Sequence, residues 1–73
     1  MNNQNDSKKR TANSIKSLLN KFNIEYDFVE NLGDGNMFDI KCDTSIKNHQ
    51  ILKKQIGFII VERGSKYFTI KCF

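Results

Sequence analysis

A five-residue phrase occurs twice in this 73-residue chain: Phe38-Asp39-Ile40-Lys41-Cys42 returns as Phe68-Thr69-Ile70-Lys71-Cys72. In each phrase Phe, Ile and Cys alternate with Asp, Thr or Lys, the period-two pattern of a strand with one buried face. Each copy also closes a longer unit of the same order: a helical pattern, an apolar strand pattern and a Gly-containing turn precede it. The order is therefore α-β-β-α-β-β. Helices alternating with hairpins predict a single two-layer α+β domain, with a four-stranded antiparallel sheet and two helices on one face. The domain spans residues 10–73, with pseudo-repeats at about 10–43 and 44–73, behind a polar and aperiodic stretch, residues 1–9, read as a flexible arm.

Local signals support each element. Ile15, Leu18, Leu19 and Phe22 fall at i, i+3, i+4 and i+7, one apolar helix face. Ser7 or Thr11 suits the cap at its start, and Asn23 suits a left-handed exit at its end. Asp43, Thr44 and Ser45 offer caps for the second helix, and Gly57 takes the part of Asn23. His49 and Asn48 stand where that helix lacks an apolar residue.

Ile24, Tyr26 and Phe28 alternate with Glu25 and Asp27. A loop of about five residues then pairs Phe28 with Phe38 and Tyr26 with Ile40, which puts all four on the inner face. In the second hairpin a two-residue Gly-Ser turn sets Ile59 and Val61 beside Ile70 and Phe68. A three-residue turn sets Phe58 and Ile60 beside Cys72 and Ile70; it matches the first hairpin and is preferred. The outer sheet face then presents Val29, Met37, Ile59, Val61, Tyr67 and Phe73 among Lys41 and Lys71. Such a contiguous apolar face marks a contact site, for a protein partner, for stacked bases or for a second copy in a homodimer.

Charge is segregated within a net +4. Residues 1–23 carry five cations against Asp6, and residues 45–73 carry six against Glu62. Between them, Glu25, Asp27, Glu30, Asp34, Asp39 and Asp43 face only Lys41. The acidic first hairpin, represented by Glu25, Asp27 and Asp39, suits a basic partner. The cations Lys8, Lys9, Arg10, Lys53 and Lys54 suit phosphates and give a second reading, a small basic RNA- or DNA-binding module.

Catalytic and cofactor chemistry has no motif here. One His and two Cys without a Cys-x-x-Cys spacing fall short of a zinc site, and Cys42 points inward, away from any base. Gly33-Asp34-Gly35-Asn36 lacks the spaced oxygen ligands of a calcium loop. Two Cys are too few for the disulfide framework of a small secreted domain, and residues 1–10 lack the apolar stretch of a signal peptide. The reading is a cytoplasmic, non-enzymatic binding protein that needs no metal or cofactor.

The short single domain, the polar arm at residues 1–9, and the charge segregated between residues 25–43 and 47–71 together resemble, in kind, the small inhibitor proteins of phages and mobile elements, including the anti-CRISPR class. The resemblance rests on no family motif and carries over no functional residue. It implies an inhibitor or adaptor whose partner is a host nucleoprotein machine such as an RNA-guided nuclease, blocked at its protein surface or through its guide RNA.

Overall fold

The computed structural model describes residues 10–33 and 36–72. The arm with Ser7, Lys8 and Lys9, the loop residues Asp34 and Gly35, and Phe73 lie outside the described residues. Helix α1 (Ala12–Lys21) leads into strands β1 (Tyr26–Asn31) and β2 (Met37–Cys42). Helix α2 (Ile46–Gln50) runs directly into a π-helical segment (Ile51–Ile56), followed by β3 (Ile59–Arg63) and β4 (Tyr67–Lys71). The four strands form one antiparallel sheet in the order β1-β2-β4-β3, with both helices on one face.

The repeated phrase lies at the centre of the sheet, paired with itself. Asp39 is opposite Thr69, Phe38 opposite Ile70, and Ile40 opposite Phe68. A pseudo-two-fold axis thus passes between Asp39 and Thr69, exchanging β2 with β4 and β1 with β3. Phe38, Ile40, Phe68 and Ile70 point under the helices and are fully buried. Ile15 and Leu19 of α1 and Leu52 of the π segment complete the fully buried set. Because the central strands run antiparallel, the two Cys end up at opposite ends of the pair. Cys42 is held by the Lys66 carbonyl at 3.0 Å and Cys72 by the Asn36 carbonyl at 2.8 Å. Both are free and buried.

Equivalent residues do equivalent work along both halves. Thr11 caps α1 by accepting from the Ser14 amide at 3.1 Å, and Ser14 returns the contact to the Thr11 amide at 3.0 Å. Ser45 caps α2 by accepting from the Asn48 amide at 3.2 Å. These contacts satisfy amides that a helix start leaves without partners. At the helix exits Asn23 and Gly57 have φ of 61° and 96°. A left-handed residue there turns the chain directly into a strand.

The helices themselves differ. In the first, Ile15 and Leu19 point inward at α-helical spacing. In the second, the apolar residues that pack inward are Ile51, Leu52 and Ile56, while Ile46 is exposed. Ile51 and Ile56 are five apart and would diverge on an α-helix, whereas π winding, with its i to i+5 bonds, aligns them. The Gly57 amide accordingly donates to the Leu52 carbonyl at 3.0 Å. His49 occupies the place of Ile15 and packs half-buried against Phe68, ring centroids 6.0 Å apart.

Each edge strand carries a β-bulge at the same relative position, Asp27 in β1 and Val61 in β3. A bulge sets two residues against one and reverses which side the later residues face. In β1 this corrects the expected pairing. Val29 faces Ile40 and is buried, whereas Phe28 faces Lys41 and is 46% exposed. Val29 therefore leaves the outer face and Phe28 joins it. In β3 the preferred register holds at its start, Ile60 opposite Ile70. The turn is shorter than expected: the Gly64 amide donates to the Tyr67 carbonyl at 2.8 Å, leaving only Ser65 and Lys66 between them. The bulge at Val61 takes up the difference. Arg63 then lies on the helix side, donating through Nε and Nη2 to the Thr44 carbonyl at 2.9 and 2.6 Å.

Candidate functional site

With both helices on one side, the other side of the sheet is uncovered. The register arranges its outward side chains in three rows across the strands. At one end lie Phe28, Lys41 and Tyr67, with Gly64 beyond Tyr67. At the other lie Leu32, Met37, Lys71 and Ile59. The middle row is Glu30, Asp39, Thr69 and Glu62, three carboxylates and a hydroxyl. A groove of about 670 Å³ runs over the three rows except Gly64, Lys71 and Ile59, reaching Val61 and Lys66 at the β3 side.

Short contacts hold the face in shape. Thr69 Oγ1 donates to Asp39 Oδ1 at 2.6 Å, across the pseudo-two-fold axis. Tyr67 donates its hydroxyl to Glu62 Oε2 at 2.9 Å, and this bond to a carboxylate holds the phenol above its ordinary pKa. The Tyr67 ring lies against Gly64, in space that any Cβ there would fill. The Lys41 ammonium sits over the Phe28 ring, 5.9 Å from its centroid, within the range of a cation–π contact. Each bulge adds one outward residue, so Phe28, Val61 and Glu62 stand on this face as a consequence of backbone geometry.

The carboxylates expected to act together are divided. Asp39 is half-buried in the middle row. Glu25 and Asp27 instead line a second hollow, of about 1030 Å³, at the end of the sheet with Asp43, Cys42 and Lys66. The Cys42 thiol borders this hollow but is pushed up to about 11 by burial, and further by Asp43 and Asp27. It is a protonated core thiol at neutral pH, a poor nucleophile. Burial also raises Cys72, with Arg10 acting in the opposite direction. Among the described residues no three His, Cys, Asp or Glu side chains are grouped to hold a metal. Among them, too, no helix is long and apolar enough to cross a membrane.

Of the outer-face residues expected from sequence, Met37, Ile59, Val61 and Tyr67 are on it. Lys53 and Lys54 are exposed on the π segment, in the helical layer opposite the groove, and Arg10 is exposed just before α1. Glu30, Glu62 and Phe28 were not expected on this face from sequence. Glu30 and Glu62 face outward only because of the bulged registers. No protein-family model, curated protein or solved structure matches the chain.

Proposed function

We infer that the chain is a small, non-enzymatic binding protein of the inhibitor or adaptor type, working in the cytoplasm and docking on a protein partner through the uncovered face of its sheet. The observation that carries this reading is the face itself. Phe28, Leu32, Met37, Val61 and Tyr67 line a groove, with Ile59 on the same face, on the side that the chain's own helices leave open. An apolar face of this kind that a soluble domain leaves open is an interaction surface. Carboxylates interleaved with the apolar groups favour a protein over a nucleic acid, whose phosphates they would repel. On the resemblance in kind to phage and mobile-element inhibitors, the partner is a host nucleoprotein machine such as an RNA-guided nuclease.

Affinity capture from a host extract, compared across variants, tests this. Met37→Ser with Tyr67→Ser should lose the captured partner, while Lys53→Glu with Lys54→Glu should keep it. The second reading, a nucleic-acid module, is favoured by one observation: Lys53, Lys54 and Arg10 are all exposed on the helical side. It requires the reverse outcome, together with RNA or DNA binding that weakens steeply with salt.

A further inference from the structure

The middle row of the open face bears on what it binds. Asp39 uses one carboxylate oxygen on Thr69, and Glu62 uses one on Tyr67. The remaining oxygen of each, and both oxygens of Glu30, accept nothing among the described residues. The row itself therefore offers several acceptors and no donor, since the Thr69 hydroxyl is already committed to Asp39; the cations of the groove, Lys41 and Lys66, lie beside the row. The side chain whose polar groups are all donors, and which is charged to match, is the guanidinium of arginine, followed by the ammonium of lysine.

A second, independent feature points to the same chemistry. One flank of the row is aromatic, with Phe28 and Tyr67 at its two sides and Lys41 between them. The Phe28 ring already holds a cation, the chain's own Lys41. That ring face is thus placed to hold a positive group, and a guanidinium that takes the place of Lys41 stacks on such a face better than an ammonium does. On the other flank Leu32, Met37 and Ile59, with Lys71 between the last two, would cover the aliphatic stems of basic side chains.

The dimensions agree with an extended segment. Neighbouring strands are about 4.8 Å apart, so a row crossing four strands spans about 14 Å. Alternate residues of an extended peptide are about 6.7 Å apart, so three basic residues at alternate positions cover the same length.

We propose that the open sheet face binds an arginine-rich segment of its protein partner, laid across the strands with its guanidinium groups on Glu30, Asp39 and Glu62 and against the rings of Phe28 and Tyr67. The proposal rests on the protein-binding reading above and specifies the chemistry of the partner.

The test uses the full chain and a fluorescent peptide in which arginine alternates with serine, followed by anisotropy. The triple variant Glu30→Gln, Asp39→Asn, Glu62→Gln keeps the shape of the row and removes its charge. The comparison variant Glu25→Gln, Asp27→Asn, Asp43→Asn makes the same change in net charge at the end of the sheet. The row variant should lose about tenfold or more in affinity, the comparison variant less than about twofold, with both melting like the parent chain. Phe28→Leu should lose several-fold, and a lysine peptide should bind more weakly than the arginine one.

Equal losses in the two triple variants would reduce the effect to net charge and overturn the proposal. So would parent-like binding by the row variant, or tighter binding of a single-stranded RNA than of the peptide. Sedimentation showing a dimer that Met37→Lys dissolves would put a second copy on the face and also overturn it. Should the peptide fail to bind while Met37→Ser with Tyr67→Ser still loses the captured partner, the arginine proposal falls and the protein-binding reading stands. If those variants also keep the partner, both fall.

Discussion

The two halves of the chain share their scaffold and differ on their surface. Both begin with a hydroxyl cap, Thr11 or Ser45, and leave the helix through a left-handed residue, Asn23 or Gly57. Both bulge at the following strand's equivalent position and end in the same buried phrase. The differences lie elsewhere. The first hairpin has four residues between its closing pair Leu32 and Met37, and the second has two between Gly64 and Tyr67. The first bulge residue is Asp27 and the second Val61. One helix is α throughout, while the other turns to π. What is common is what the core needs, and what differs is concentrated on the surface, including the open face. The bulge at Val61 is also what brings Glu62 rather than Val61 into line with Asp39 and Glu30.

If the phrase is a shared core, its two copies should be equally costly to damage. Phe38→Ala and Phe68→Ala each remove a fully buried ring. Each should cost about 3–5 kcal/mol, a large part of what holds a domain of this size. Phe28→Ala, on the open face, should change stability by about 0.5 kcal/mol or less. Urea unfolding followed by circular dichroism measures all three. A large cost for Phe28 would mean that β1 lacks its bulge.

The helix exits make a finer comparison. Gly57 has a φ of 96°, so Gly57→Ala should cost about 1–2 kcal/mol. Asn23, at 61°, already tolerates its conformation, and Asn23→Gly should be neutral within a few tenths of a kcal/mol. Thermal melts of the two variants side by side would show whether the exits are as alike as their dihedral angles.

The smallest effect separates the two thiols. Cys42 is raised from 9.0 to about 11 in the folded chain. A thiol whose folded pKa is raised keeps its proton longer in the native state. Its contribution is therefore complete below about pH 9 and is lost as pH rises toward about 11, because the unfolded chain ionises first. Cys72 has Arg10 nearby to counter its burial, whereas Cys42 has Asp43 and Asp27 adding to it. Cys42→Ala should flatten the alkaline fall in stability more than Cys72→Ala does. Denaturation midpoints at pH 8, 9, 10 and 11 give the comparison.

Much of the scaffold was legible in the residues. The apolar face of α1, both left-handed exits and the inward set of the repeated phrase follow from spacing and residue type. The pairing of the phrase with itself was hidden, since self-complementarity of Phe-x-Ile-x-Cys says nothing about which strands are neighbours. The bulges were hidden for a different reason. Asp27 and Val61 have nothing chemical in common, and a bulge is a property of the ladder rather than of one side chain. Because a bulge reverses the facing of every later residue, missing it exchanged Phe28 with Val29 and concealed Glu30 and Glu62. The π winding left one visible trace, the five-residue spacing of Ile51 and Ile56, which an α-helical template reads as disorder in the pattern.

The most direct test of the central claim is where a ligand touches the folded chain. Amide chemical shifts of the labelled protein, recorded during titration with the arginine-serine peptide, would map the contact residue by residue. The account predicts changes concentrated at Phe28, Glu30, Asp39, Glu62, Tyr67 and Thr69, with Lys53 and Lys54 unmoved. Changes centred on the helical layer around Lys53 and Lys54, or on Glu25 and Asp27 at the end of the sheet, would contradict it.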